Sequence, residues 1–145
     1  MSRILNYTTT ISAHKTAGEA MEYLLAHGAV NVAAESDGKG GVTGLSFGLR
    51  TPAGLRSYRM PIRAAGVFNV LRGDKTVPAR YKTAEQADRV AWRVALVWLK
   101  SNIALAEAGL ADMGEVLLPW MVADDGRTMY ELYREQGPAI EGGRA

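Results

Sequence analysis

Residues 83–109 read TAEQADRVAWRVALVWLKSNIALAEAG, and the fold turns on this stretch. Thr83-Ala-Glu-Gln86 has capping-box spacing: the threonine hydroxyl can accept from the N–H three residues on, and the fourth side chain can reach back. No proline interrupts the run before Gly109, which can take a left-handed cap. The stretch predicts one long helix. At about 100° per residue, Ala87, Ala91, Val94, Trp98 and Leu105 share one stripe. Glu85, Arg89, Arg93 and Lys100 share another, flanked by Trp92, Leu96 and Ile103. A single helical neighbour buries only one stripe well. Three arrangements would satisfy the second. Trp92 can be core, with Arg89 and Arg93 paired to Glu85 and other acids. A second copy of the chain can cover it, making a homodimer or higher oligomer. An indole beside two arginines can also grip a base and a phosphate. The last two are compatible, because a pocket between subunits uses both.

Arg80-Tyr81-Lys82 leads directly into this helix. Free N–H groups and a partial positive charge at a helix start favour an anion. The candidate ligand-binding residues are therefore Arg80, Tyr81, Lys82, Arg89, Trp92 and Arg93. A rival group, Arg50, Arg56 and Arg59, surrounds a turn that would hold it less rigidly.

The residues before the helix alternate in the manner of strands. RILNYTTTI at 3–11 puts Leu5, Tyr7, Thr9 and Ile11 on one face, and its threonines favour extended backbone. A helix follows, begun at Thr16-Ala-Gly-Glu19 or a turn earlier at Ser12, and closed by Gly28. Further strands are expected at 29–35 (Val30, Val32 and Ala34 on one face), 42–50 (Leu45, Phe47 and Leu49 inward) and 55–61 (Tyr58 and Met60 inward). Ser36-Asp-Gly-Lys-Gly-Gly41 reads as a hairpin turn, since it lacks the Gly-Lys-Ser/Thr and the helix of a phosphate loop. A short helix near 62–72 and a basic connector, 74–82, complete the path to Thr83. Beyond the long helix, Asp112-Met-Gly-Glu115 and Thr128-Met-Tyr-Glu131 open two more helices. Asp124-Asp-Gly126 is a turn. The class is α+β: a β-α-β-β-β antiparallel sheet half, then a helical C-terminal half with one long helix. Residues 1–136 read as a single domain and 137–145 as a flexible tail.

A chain of 145 residues can bury roughly two-thirds of its unfolded surface, so its core needs no disulfide or metal. It has no Cys, and His14 and His27 are its only histidines, which excludes thiol chemistry and multi-histidine metal sites. Neither histidine has a Ser/Asp motif beside it, and Asp124-Asp125 sits in a turn sequence. No catalytic residue, metal site or cofactor is implied, so the chain reads as a binding protein rather than an enzyme. MSRILNYTTT lacks the apolar stretch of a signal peptide, and no run is long enough to span a membrane, which points to the cytoplasm. The net charge of +2 hides an uneven distribution: residues 50–100 carry +8 and residues 101–145 carry −5. Eight of the eleven basic residues in the middle are arginines, suited to phosphate and carboxylate. Either the basic middle pairs with the acidic end, or part of it meets an anionic partner.

NYTTTISAHKTAGEA, LSFGLRTPAGLRSYRMP, KTAEQADRVAWRVALVWLKSNIALAEAGL and MGEVLLPWMVADDGRTMYELY together cover most of residues 6–133. In these pieces, above all in TAEQADRVAWR at 83–93, the chain resembles a group of small bacteriophage and prophage proteins with no established activity. The resemblance implies a phage accessory protein in a host bacterial cytoplasm and carries over no catalytic residue. In that context the expected partner is a phosphorylated nucleotide, sequestered as a counter-defence measure. The alternatives are a nucleic acid held by the basic middle, and a host enzyme inhibited by contact.

Overall fold

Ser12 rather than Thr16 starts the first helix. Its hydroxyl accepts from Lys15 N at 3.1 Å, and α1 runs Ala13–Ala26. Thr16 is fully buried one turn in, facing the later helices. At the other end Gly28 has φ +94° and Ala29 N donates to Leu24 O at 2.9 Å, so the orphan carbonyls are met by a left-handed cap. The computed structural model of the chain describes residues 3–142.

Strands β1 (Val30–Ser36), β2 (Val42–Thr51) and β3 (Gly54–Pro61) form one antiparallel sheet in that order. The hairpin between β1 and β2 is the expected turn: Asp37 Oδ1 accepts from Lys39 N at 2.7 Å and Gly41 N at 3.0 Å. Leu45 faces Met60 and Phe47 faces Tyr58 across β2 and β3, the last two rings stacked with centroids 5.6 Å apart. Leu45, Phe47, Leu49, Tyr58 and Met60 are buried, as their alternation requires. In β1 the alternation fails. Asn31 has φ +54°, left-handed geometry in place of extended backbone, and the register slips between Val30 and Ala33. The bulge leaves Val30 42% exposed, while Val32 and Ala34, expected on the same face, are half-buried.

Residues 3–11 are not a strand. Tyr7 N donates to Ile4 O at 3.2 Å and Thr9 N to Asn6 O at 3.0 Å, with Asn6 at φ +63°, so the segment is a pair of turns. It lies against helices instead of a sheet edge. Gln86 Nε2 donates to the main-chain oxygens of Tyr7 and Thr9, each at 2.9 Å. Ile4 and Tyr7 pack on Leu71, Val77 and Ala87. Threonine's preference for extended backbone is a weak force beside these contacts.

Helix α2 runs Ala64–Gly73, a 3₁₀ turn covers Ala79–Tyr81, and α3 runs Ala84–Glu107. Thr83 caps α3 as its spacing predicts, accepting from Gln86 N at 3.0 Å. Gly109 closes it at φ +77°, with Leu110 N donating to Leu105 O at 3.0 Å. Trp92, Leu96, Leu99 and Ile103 pack with Ala17, Ala20 and Leu24 of α1 and with the buried sheet face. Ala87, on an adjoining side, packs with Leu71 of α2 and Val77 of the connector. The Trp92 side of α3 and the start of its Ala87 stripe are thus covered within one chain, while Leu105, farther along that stripe, is 41% exposed. Short α4 (Met113–Val116), capped by Asp112, and a 3₁₀ turn at Leu118–Trp120 lead to α5 (Met129–Gly142). The tail expected from Gly137 falls on the end of α5 and on residues 143–145, which lie outside the described residues. The architecture is α+β, a three-stranded antiparallel sheet followed by helices.

Candidate functional site

The six residues singled out at the start of α3 divide into two groups. Trp92 is 1% exposed and donates Nε1–H to Val42 O at 3.2 Å. It is the floor of the core beneath β2 and cannot stack on a ligand, which corrects that expectation. The cause is the helix's angular placement: the side carrying Trp92, Leu96, Leu99 and Ile103 is the one turned to the sheet. Arg93 Nη1 donates to Glu19 Oε2 at 2.8 Å and to Thr16 Oγ1 at 3.4 Å, tying α3 to α1. Arg89 pairs with Glu85 one turn before it and donates Nη1–H to Gln86 Oε1 at 3.0 Å. That same Gln86 holds the N-terminal turns, so Arg89 orients the amide that fixes them. These arginines have acid partners already, as the first of the three arrangements requires.

Arg80, Tyr81 and Lys82 stand apart from them. The Arg80 guanidinium lies 4.7 Å from the centroid of the Tyr81 ring. Tyr81 meets Tyr7 edge to face at 5.5 Å. Arg3 adds a third cation, 5.5 Å from the Tyr7 centroid, and donates Nε–H to Thr76 Oγ1 at 3.2 Å. Asp74 is the nearby carboxylate. Its Oδ1 accepts from the Thr76 hydroxyl at 2.6 Å and from Thr76 N at 2.9 Å. Those two bonds, with Arg3 and Lys82 nearby, hold its carboxyl below the usual range. Among the described residues Arg3, Arg80 and Lys82 form no ion pair. Arg3, Tyr7 and Thr76 were missed in the sequence because 3–11 was read as a strand, and no local signal brings Arg3 to Thr76.

The two halves of the charge distribution scarcely meet. Of the basic residues in 50–100, the described ion pairs engage Arg59 with Glu131 at 3.1 Å, Arg89 with Glu85, and Arg93 with Glu19. Only the first reaches the acidic end. Arg59 thereby leaves the rival group, and the register sets Arg56 opposite Leu49, on the same side of the sheet as Tyr58.

His27 and the acidic turn serve the fold. His27 contacts Glu107 through Nδ1 and stacks on Tyr23 at 4.2 Å, joining the ends of α1 and α3. Asp125 accepts from Arg127 Nε at 2.9 Å, Arg127 Nη2 at 2.6 Å and Arg127 N at 3.0 Å, closing the turn before α5. Among the described residues no cluster of three His, Asp or Glu could hold a metal ion, and no helix is long and apolar enough to cross a membrane. No protein-family model, curated protein or solved structure matches this chain.

Proposed function

We propose that this chain is a non-catalytic bacteriophage accessory protein that binds a phosphate-bearing partner at the corner formed by the N-terminal turns, the connector and the start of α3. The observation that carries the reading is a set of three cations without ion-pair partners among the described residues: Arg3 and Arg80 against the Tyr7–Tyr81 pair, and Lys82 next to Tyr81 in the chain. Cations beside aromatic rings are what a single nucleic-acid strand requires, the first for its phosphates and the second for its bases. Arg72 and Lys75 lie on the same stretch of chain and form no ion pair among the described residues, which adds two cations to this segment. A strand is therefore the favoured partner. A compact phosphorylated nucleotide, sequestered to blunt a host defence, is the second reading. It is supported by Tyr81 standing between Arg80 and Lys82 at a capped helix start.

Fluorescence anisotropy with a labelled single-stranded oligonucleotide tests the proposal, with a cyclic dinucleotide titrated in parallel. The strand should bind with a log–log salt slope of about −2, from three phosphates at about 0.7 each. Arg3→Ala/Arg80→Ala/Lys82→Ala should remove most of that slope. Tight, weakly salt-dependent binding of the dinucleotide alone would favour sequestration. No binding of either at about 50 mM salt removes both readings.

A further inference from the structure

The strand β3 leaves the sheet at Met60-Pro61-Ile62-Arg63 and turns into α2, and the space this leaves against α3 is not filled. A cavity of about 270 Å³ opens there, walled by Ile62, Val67, Ala91, Ala95, Trp98 and Trp120. The two indoles meet edge to face with centroids 4.6 Å apart. Ala91 and Ala95 are why the space exists: the α3 side facing it carries methyl groups where larger side chains would close the gap. The lining is apolar with one charged exception, Arg63 at the mouth. Arg63 is also the N-cap of α2. It gives that helix no side-chain cap, and no acidic residue follows in the first turn. Arg63 thus brings to the edge of the cavity its own positive charge and the uncapped start of α2, which share one electrostatic sign.

The neighbouring cleft, lined by Arg63, Tyr130, Glu131, Arg134 and Glu135, does not cancel this charge. Glu131 accepts from Arg59 at 3.1 Å and from Thr128 N at 2.9 Å, and Glu135 is paired with Arg127. Arg63 and Arg134 instead lie against the Tyr130 ring, at 5.9 Å and 6.0 Å from its centroid. Among the described residues neither has an acid partner.

We propose that this cavity is a binding site for a small organic anion with a flat apolar body, seated between Val67 and the two indoles with its acid group on Arg63. Size and chemistry agree. A dry cavity of about 150 Å³ takes one benzene ring, so about 270 Å³ suits two fused rings. An aromatic body meets aromatic walls, and the single polar group of the ligand finds the single charged group of the lining. The site uses none of the residues of the Arg3–Arg80–Lys82 corner and does not rest on the reading given to that corner.

The probe is 1-naphthylacetate, with its neutral amide as control, titrated against tryptophan fluorescence. Saturable quenching is expected, with the acid binding about tenfold more tightly than the amide, the worth of one charge-assisted contact. Arg63→Gln, a change at an exposed position, should abolish the preference for the acid and leave amide binding unaltered. Ala95→Leu, which fills the cavity, should abolish binding of both while keeping or raising the melting temperature. The proposal is overturned by the absence of saturable quenching up to about 1 mM. It is equally overturned by equal affinity for acid and amide, or by full binding in a folded Ala95→Leu variant. Should Ala95→Leu fail to fold, the preference for acid over amide and its loss in Arg63→Gln decide alone.

Discussion

The cations on the body of α3 and those on the connector before it are close in sequence and opposite in employment. Arg89 and Arg93 project from a helix whose neighbours carry carboxylates, and each is held by one. Arg80 and Lys82 project from a 3₁₀ turn and a cap, where the neighbouring groups are tyrosines and a carboxylate already engaged by Thr76. A basic residue on a packed helix face is drawn into the fold's own ion pairs. One on a connector stays available. The comparison teaches that a basic ridge on a long helix is weak ground for a ligand site when its flanking residues are large and apolar.

Substitutions on the helix body should cost stability, in descending order of burial. Trp92→Ala should lose about 3–5 kcal/mol, read as a fall in the denaturant midpoint or as failure to fold. A loss below about 1 kcal/mol would mean the ring is not the core of this half. Arg93→Ala ranks next. The side chains of Arg93 and Glu19 are 22% and 34% exposed, between the surface and buried limits, so about 1–2 kcal/mol is expected. The cycle completed by Glu19→Gln should show coupling of about 1 kcal/mol. Glu85 is 77% exposed, so its pair with Arg89 should contribute only about 0.3–0.5 kcal/mol. Arg89→Ala would exceed that figure only through the loosened Gln86.

These differences mark what could be read in the chain. Thr83, Gly28, Gly109 and Asp112 act within a few residues of themselves, and each stands where capping chemistry puts it. The β2–β3 face was legible for the same reason: a two-residue period decides which side chains share a side. What was not legible depends on distant partners. The turns at 3–11 are fixed by Gln86, the bulge at Asn31 by pairing with β2, and the fate of Arg93 by Glu19 on another helix. On α3 the stripe drawn as apolar, Ala87 to Leu105, is not the one turned to the sheet; Trp92, Leu96 and Ile103, drawn as flanks of the basic stripe, are. The pairing of Glu85 with Arg89 was visible as an i, i+4 spacing; a core place for Trp92 was one of three open arrangements, and its neighbours in α1 and the sheet were not visible.

Connector substitutions should do the reverse of the helical ones. Arg80→Ala/Lys82→Ala should change stability by less than about 0.5 kcal/mol, by thermal melt, while lowering strand affinity at low salt. A large loss of stability would place these cations in the fold's own contacts and erase the comparison. Unchanged binding would move the anion site elsewhere.

The smallest effect sharpens the same contrast with carboxylates. Asp74, on the connector, has its carboxyl held below the ordinary value of 3.8, first by the Thr76 hydroxyl and then by Thr76 N. Asp88, on α3, has its carboxyl raised above 3.8, chiefly by burial, with His14 opposing. The signs of their contributions therefore differ. For Asp74 the folded state holds the proton less firmly than the unfolded chain, so its contribution is present above about 3.8 and is lost as pH falls through the lower folded value. For Asp88 the folded state holds the proton more firmly, so a penalty develops as pH rises above about 3.8 through the higher folded value, and it is complete at neutral pH. Asp74→Asn should accordingly lower stability at neutral pH and become neutral in strong acid. Asp88→Asn should raise it at neutral pH, with the gain shrinking as the solution is acidified. Melting temperatures of the two variants against the parent, taken from neutral pH down to about 3, check both signs in one series. Shifts of the same sign would mean that burial on the helix and hydrogen bonding on the connector do not divide these two acids as their surroundings require.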